Sequence, residues 1–150
     1  MKSFTRRKTI LFAVTFTLML AIHSAIAAQS LPNPVLAFIR QETIEKDGKQ
    51  TIRYYFEVAN KNTYPAEIFA PAPGLPPCGQ NANSSRTWID ILDQRGKRLN
   101  GFCNLTKRED LDKLWFSLPG DEVPPSWVYI EFTDRQTNTK YKSNLAETTQ

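Results

Sequence analysis

The chain has 150 residues, of which 23% are charged, with 19 Lys and Arg against 15 Asp and Glu. Four of the basic residues fall within the first eight positions, so the rest of the chain has basic and acidic side chains in equal number. Such a balance lacks the basic surface that displaces counterions from a phosphate backbone, which excludes nucleic acid as the partner. The single histidine, His23, lies in the N-terminal segment, and its position excludes histidine-based catalysis and imidazole metal ligands from the remainder. We expect no cofactor and no metal.

The first 27 residues have the three parts of a secretory signal peptide. A basic head at residues 2–8 precedes an apolar run at residues 10–22, and a small-residue cleavage site follows at residues 25–27. The apolar run is shorter than the roughly 20 residues that span a bilayer, which argues against the competing interpretation as a membrane anchor. We predict cleavage after Ala27 or Ala28, a periplasmic or secreted location, and no stable membrane anchor after cleavage.

The remaining chain, residues 28–150, has the length of one domain with one core. Its first predicted elements are two strands, at residues 35–45 and 51–60, joined by a turn at residues 46–49 in which Gly48 supplies a positive φ. Alternation in the second strand predicts one buried face, made by Ile52, Tyr54, Phe56 and Val58.

The segment from Pro71 to Ser85, called the proline-rich loop below, interrupts this pattern. Its prolines remove backbone donors and hold the chain extended, so it cannot be an interior strand. One interpretation is a preorganised binding loop; the other is a crossover that covers a sheet edge. On the first interpretation, the candidate binding residues are those of the loop's apolar tip, two polar residues beyond it and a tryptophan on the next strand: Leu75, Pro76, Pro77, Gln80, Asn81 and Trp88.

Two further hairpins are predicted after the loop. Residues 86–103 form the first, with its turn at residues 94–96, and residues 126–144 form the second. Trp88 and Trp127 alternate away from the apolar faces of their strands. They serve either as a second layer of core, as a stacking platform for sugars or as a protein contact.

Between these hairpins, the sequence predicts a short helix or helical turn at residues 107–113, followed by a brief strand at residues 115–118. Thr106 and Glu109 have the spacing of a capping box. The acidic residues of this run, Glu109, Asp110 and Asp112, are neighbours in sequence, whereas a glycosidase needs two carboxylates that face each other across a cleft. We therefore interpret them as a solvated surface and predict that the protein is not an enzyme.

The two cysteines, Cys78 and Cys103, predict one disulfide, because an exported domain with a small, even number of cysteines normally pairs them. Free thiols and a metal pair are the alternatives. The bridge would close a loop of about 25 residues and stabilise the fold by roughly 3–4 kcal/mol on the chain-entropy model.

The series of hairpins that ends in SLPGDEVPPSWVYIEF resembles the end of a fibronectin type III or immunoglobulin-like sandwich. Leu118, Pro119 and Gly120 match the turn of those folds, and the resemblance makes Tyr129 the corner tyrosine. It implies an antiparallel β-sandwich with one short helical turn and one disulfide. A shared fold carries no function with it.

Two functions fit these observations. The first is an exported, non-catalytic interaction module that binds a protein or an envelope glycan. The second is a secreted inhibitor of a protease or lysozyme that acts through the proline-rich loop.

Overall fold

The computed structural model describes residues 30–72, 74–77 and 85–149. Within it, Leu31–Gln150 is one compact unit. The predicted signal peptide lies outside the described residues, as do Cys78, Gln80 and Asn81, so these predictions stay predictions. No helix in the described part of the chain is long and apolar enough to cross a bilayer.

The described residues are mainly β, as predicted. Three short 3₁₀ helices interrupt the strands, at Lys61–Thr63, Ala66–Phe69 and Arg108–Asp112. The strands, in chain order, are β1 (Leu36–Lys46), β2 (Lys49–Val58), β3 (Thr87–Asp93), β4 (Arg98–Phe102), β5 (Leu114–Pro119), β6 (Trp127–Asp134), β7 (Thr139–Lys142) and β8 (Ala146–Glu147).

The strands form two antiparallel sheets. One has the order β1-β2-β5, and the other has the order β4-β3-β6-β7 with β8 also paired to β6. Alternate side chains of both sheets meet in a single hydrophobic core, an arrangement compatible with a β-sandwich. The largest side chains that are fully enclosed in it are Tyr54, Tyr64, Phe56, Phe69, Phe116 and Phe132.

The first hairpin confirms the predicted pair of strands and the turn between them. Asp47 and Gly48 both have positive φ, 52° and 69°, which is the signature of a type I′ turn between two strands. Of the four residues that the alternation of β2 predicts to be buried, Tyr54, Phe56 and Val58 are buried and Ile52 is half-buried against the same core. The intervening side chains of β2 face outward.

Side-chain amides connect the edges of the two sheets. At one side, Asn100 Nδ2 donates to the carbonyl of Trp115 at 2.6 Å, which links β4 to β5. At the other side, Asn144 accepts from Leu36 N at 2.8 Å and donates to Leu36 O at 3.0 Å. The Asn144 amide thus satisfies both backbone groups of Leu36, as the backbone of a neighbouring strand would.

The predicted helical turn exists as the 3₁₀ helix Arg108–Asp112, but its predicted capping residue is wrong. Asp110 Oδ2, and not Glu109, accepts from the backbone N–H groups of Thr106 at 2.9 Å and Lys107 at 3.2 Å. The reason is that the helix begins one residue later than predicted, with Lys107 as its N-cap, so that the capping position three residues on is Asp110. The apolar residues that follow belong to β5, where Leu114 is buried in the strand's first position.

The tyrosine-corner expectation is not met among the described residues. The ring of Tyr129 lies on the outer face of its sheet, with Lys142 Nζ 3.9 Å from the ring centroid. Its hydroxyl makes no hydrogen bond to a backbone group of the described chain. Among the described residues, the part of the fibronectin type III or immunoglobulin resemblance that the structure supports is the mainly β, antiparallel architecture.

Candidate functional site

The two ends of the proline-rich loop meet. Pro71 and Ser85 form an antiparallel bridge, and Arg86 N donates to Ala70 O at 3.3 Å. Ser85 N also donates to the carbonyl of Cys103 at 3.4 Å, just after β4. The loop therefore leaves and rejoins the domain at one place, between the end of the 3₁₀ helix Ala66–Phe69 and the start of β3.

One guanidinium links the loop to the strand beside it. Arg135, in the turn between β6 and β7, donates from Nη2 to Pro76 O at 2.7 Å and from Nη1 to Ser85 O at 3.1 Å. The same group lies 5.1 Å from the centroid of the Trp88 ring, within the range of a cation–π contact. Arg135 thus fixes the position of the described part of the loop against β3.

Sequence reasoning missed Arg135, because it is one basic residue among 19 and lies 59 positions from Pro76. Strand pairing could have indicated it. Trp88 stands opposite Thr133 across the β3–β6 pair, so a long side chain at the end of β6 comes within reach of the indole.

A second arginine fixes the backbone below the loop. Arg86 donates to both carboxylate oxygens of Asp134, at 2.7 and 2.5 Å, and Gln136 N donates to the same carboxylate at 3.0 Å. Hydrogen bonding from Arg86 lowers the pKa of Asp134, and the pair raises the pKa of Arg86. The side chain of Asp134 is only 5% exposed, which makes this contact part of the framework and not a surface charge.

The predicted binding residues fall into three groups. Pro76 and Trp88 are brought together by Arg135. Pro77 is exposed and Leu75 is half-buried. Gln80 and Asn81 lie outside the described residues.

Trp88 itself is half-buried, and its indole nitrogen is enclosed without an acceptor in the described part of the chain. With Arg135 over the ring, Trp88 offers less free aromatic face than an isolated surface tryptophan. Of the other outward aromatics, Tyr55 likewise carries a guanidinium over its ring, that of Arg40 at 4.0 Å, whereas Trp127 is 37% exposed.

An open pocket of about 460 Å³ lies at the first part of the loop. Its lining includes small and apolar residues as well as charged and polar ones, and Leu75 N donates to Ala72 O at 3.0 Å to form the turn beside it. The lining residues are Glu67, Ala70, Pro71, Ala72, Gly74, Leu75, Arg86 and Gln136. This combination suits an apolar side chain carried on a polar backbone, as in a peptide segment.

The groups considered for catalysis have other contacts. Asp112 accepts from Lys61 Nζ at 2.5 Å, and Asp110 binds backbone donors as described above. The described residues contain no group of three or more His, Cys, Asp and Glu that could hold a metal ion.

Comparison with known proteins returns no match, whether the chain is scanned against protein-family models or compared with curated proteins or with solved structures. Any argument about function therefore depends on this chain's own residues.

Proposed function

We propose that this protein is an exported, non-catalytic interaction module that binds a partner protein through the proline-rich loop and the adjoining Trp88. The observation that carries the proposal is the anchoring of the loop by Arg135, with two donated hydrogen bonds and a ring contact. A loop that is already held in place loses little conformational entropy on binding, so more of its contact energy appears as affinity.

A protein partner fits the surface better than a glycan. Sugars stack on the open faces of aromatic rings, and the guanidinium of Arg135 occupies one face of Trp88. The pocket beside Leu75 adds a cleft of mixed character, lined by apolar residues together with Glu67 and Arg86. Such a cleft accepts a side chain of an extended peptide.

The fold that we propose for this module is a fibronectin type III or immunoglobulin-like sandwich. Three strands in one sheet and four principal strands in the other, all antiparallel around a single core, support it. In immunoglobulin variable domains, loops at one end of the sandwich form the binding site, and the proline-rich loop would have the same role here.

We also propose a Cys78–Cys103 disulfide and removal of the N-terminal segment during export. The contact of Ser85 with the Cys103 carbonyl supports the first, because it brings the end of the loop to the residue that the bridge would join. Intact-mass measurement of the exported protein, with and without reductant, tests both. Cleavage after Ala27 or Ala28 and the loss of both thiol hydrogens are the expected results; an uncleaved chain or two free thiols would contradict them.

The binding proposal is tested by capture from an envelope extract. We expect wild-type protein to retain a partner that Arg135→Ala does not retain, because the loop loses both carbonyl contacts. Arg135→Lys should give intermediate capture, since one ammonium group cannot reproduce the fork of the guanidinium. Arg95→Ala, in the exposed β3–β4 turn, is the matched control and should bind as the wild type does.

Stability measurements on the same variants distinguish a loss of binding from a loss of folding. Circular dichroism should show that Arg135→Ala is folded at the temperature of the assay. Equal capture by the wild type and by folded Arg135→Ala would show that the partner binds elsewhere.

The second candidate is a hydrolase inhibitor, and the rigidity of the loop also favours it. An inhibitor must present an extended segment that resists cleavage, and prolines at positions 76 and 77 have that effect. A panel of secreted proteases and lysozymes tests it. Stoichiometric inhibition that is lost when Pro76 and Pro77 are both changed to alanine would support inhibition. No inhibition across the panel would leave the interaction module.

A further inference from the structure

β1 is an edge strand whose second side is open. Its 11 residues pair with β2 on one side. On the other side, the Asn144 amide binds the backbone of Leu36, and no strand of the described chain pairs beyond that point. Every residue from Ile39 to Thr43 is exposed. An unpaired row of N–H and C=O groups of this length is a template for another strand.

A bulge limits which part of β1 can accept that strand. The register with β2 shifts between Phe38 and Arg40, which leaves Ile39 without an opposite residue. From Arg40 to Lys46 the pairing with β2 is regular. The regular ladder available at the open edge is therefore residues 40–46.

We next ask whether this segment can pair with the same segment of a second copy of the chain. In a continuous antiparallel sheet, a two-fold axis passes through one residue of the strand and sets its neighbours opposite each other. An axis through Glu42 sets the two copies of Glu42 opposite each other. An axis through Thr43 sets Arg40 of one copy opposite Lys46 of the other. An axis through Gln41 extends the pairing to Ile39, which lies in the bulge. Like charges directly opposite each other destabilise a strand pair, which disfavours the first two registers, and the bulge at Ile39 disfavours the third.

An axis through Ile44 gives a complementary arrangement. Glu42 then stands opposite Lys46 of the second copy, twice by symmetry, with Ile44 against its own copy between the two ion pairs. Alternation places these three side chains on one face of the sheet. On the other face Thr43 opposes Glu45, which introduces no like-charge pair. This register also lies wholly within the regular ladder.

We propose that two copies of this chain associate through β1, antiparallel and centred on Ile44. The two sheets of order β1-β2-β5 then join into one six-stranded sheet. The bulge at Ile39 and the Asn144 contact at Leu36 set the register, because both exclude the first part of β1 from the pair. This inference does not depend on the proposed function of the loop.

Charge reversal provides the test, with light scattering during size-exclusion chromatography of the full chain as exported. Wild-type protein should have twice the monomer mass over a concentration series. Glu42→Lys and Lys46→Glu should each raise the dimer dissociation constant about tenfold or more, since each opposes like charges twice. An equimolar mixture of the two variants should restore the dimer, because each then supplies the charge that the other lacks.

Two controls separate pairing from folding. Glu57→Lys makes the same change on β2, the interior strand of the sheet, and should leave the dimer intact. Lys46→Glu disturbs none of the hydrogen bonds that Glu42 accepts from Arg40 and Tyr55, so the proposal survives any loss of stability in Glu42→Lys. A monomeric wild type, a dimer that tolerates both single reversals, or a mixture that stays monomeric would each overturn the inference.

Discussion

Replacing Asp134 with asparagine should destabilise the protein more than any exposed charge substitution. Among the described residues, Asp134 is the only charged residue that is fully buried, with 3% of its surface accessible. It accepts two hydrogen bonds from Arg86 and one from Gln136 N. Asparagine keeps the shape of the side chain but removes its charge, and its NH₂ group cannot accept from the guanidinium.

The magnitude follows from the exposure of the two partners. Removing one partner from a fully buried ion pair costs about 3–5 kcal/mol. Arg86 keeps 27% of its side-chain surface in contact with water, which solvates part of the charge left behind. We therefore expect the free energy of unfolding to fall by about 2–3 kcal/mol, and the melting temperature to fall by roughly 6–15 °C for a domain of this size.

The pH dependence gives a second, independent check. Arg86 lowers the pKa of Asp134 in the folded state below its unfolded value of about 3.9. The carboxylate therefore contributes stability that is fully present above the unfolded pKa and is lost as the pH falls through the lower folded pKa. The difference between wild type and Asp134→Asn should be constant at neutral pH and shrink below about pH 4.

Urea unfolding followed by circular dichroism from pH 7 to pH 2 measures both effects. Glu131→Gln is the control, because its partner Lys140 is 62% exposed and such surface pairs contribute about 0–1 kcal/mol. A change of less than about 0.5 kcal/mol for Asp134→Asn at pH 7, or a difference that persists in acid, would refute the reasoning.

Two other substitutions have defined outcomes. Tyr64→Phe leaves the carbonyl of Pro32 without the hydroxyl that donates to it at 2.9 Å, so the free energy of unfolding measured in urea should fall by about 1–2 kcal/mol. Gly101→Ala places a methyl group 1.8 Å from Arg98 Nη2 and 2.7 Å from Asp90 Oδ1, so both side chains must move and the 2.6 Å contact between Arg98 Nε and Asp90 is lost. Because Arg98 is flexible and exposed, the same measurement should fall by less than about 1 kcal/mol, and a loss of several kcal/mol would show that the backbone cannot accept the methyl group.

The hairpins could be predicted because their signals are local. Alternation along β2 and the residues of its turn lie within a few positions of one another, and both were confirmed. The order of strands within the two sheets had no such signal, because it depends on contacts between distant parts of the chain. The resemblance to known sandwich folds supplied only the general architecture.

The candidate surface was predicted only in part, for the same reason. Composition and proline spacing predicted the loop, and the alternation along the strand predicted that Trp88 faces away from the core. The residue that joins them, Arg135, comes from a turn that neither pattern marks. The capping error has a different cause: Glu109 and Asp110 are adjacent, and the choice between them depends on whether Thr106 or Lys107 is the N-cap.

The two proposed surfaces belong to different sheets. Trp88 and Arg135 belong to β3 and to the β6–β7 turn, in the five-stranded sheet, whereas Ile44 lies on the open edge of the three-stranded sheet. Pairing through β1 uses no residue that fixes the proline-rich loop, so a dimer would carry two unaltered copies of the loop surface. Two linked sites raise the local concentration for the second binding event, and avidity for a surface-bound or repetitive partner can exceed single-site affinity by about 10²–10⁴. A module whose single site is small, one loop with one adjoining tryptophan, would gain most from that arrangement.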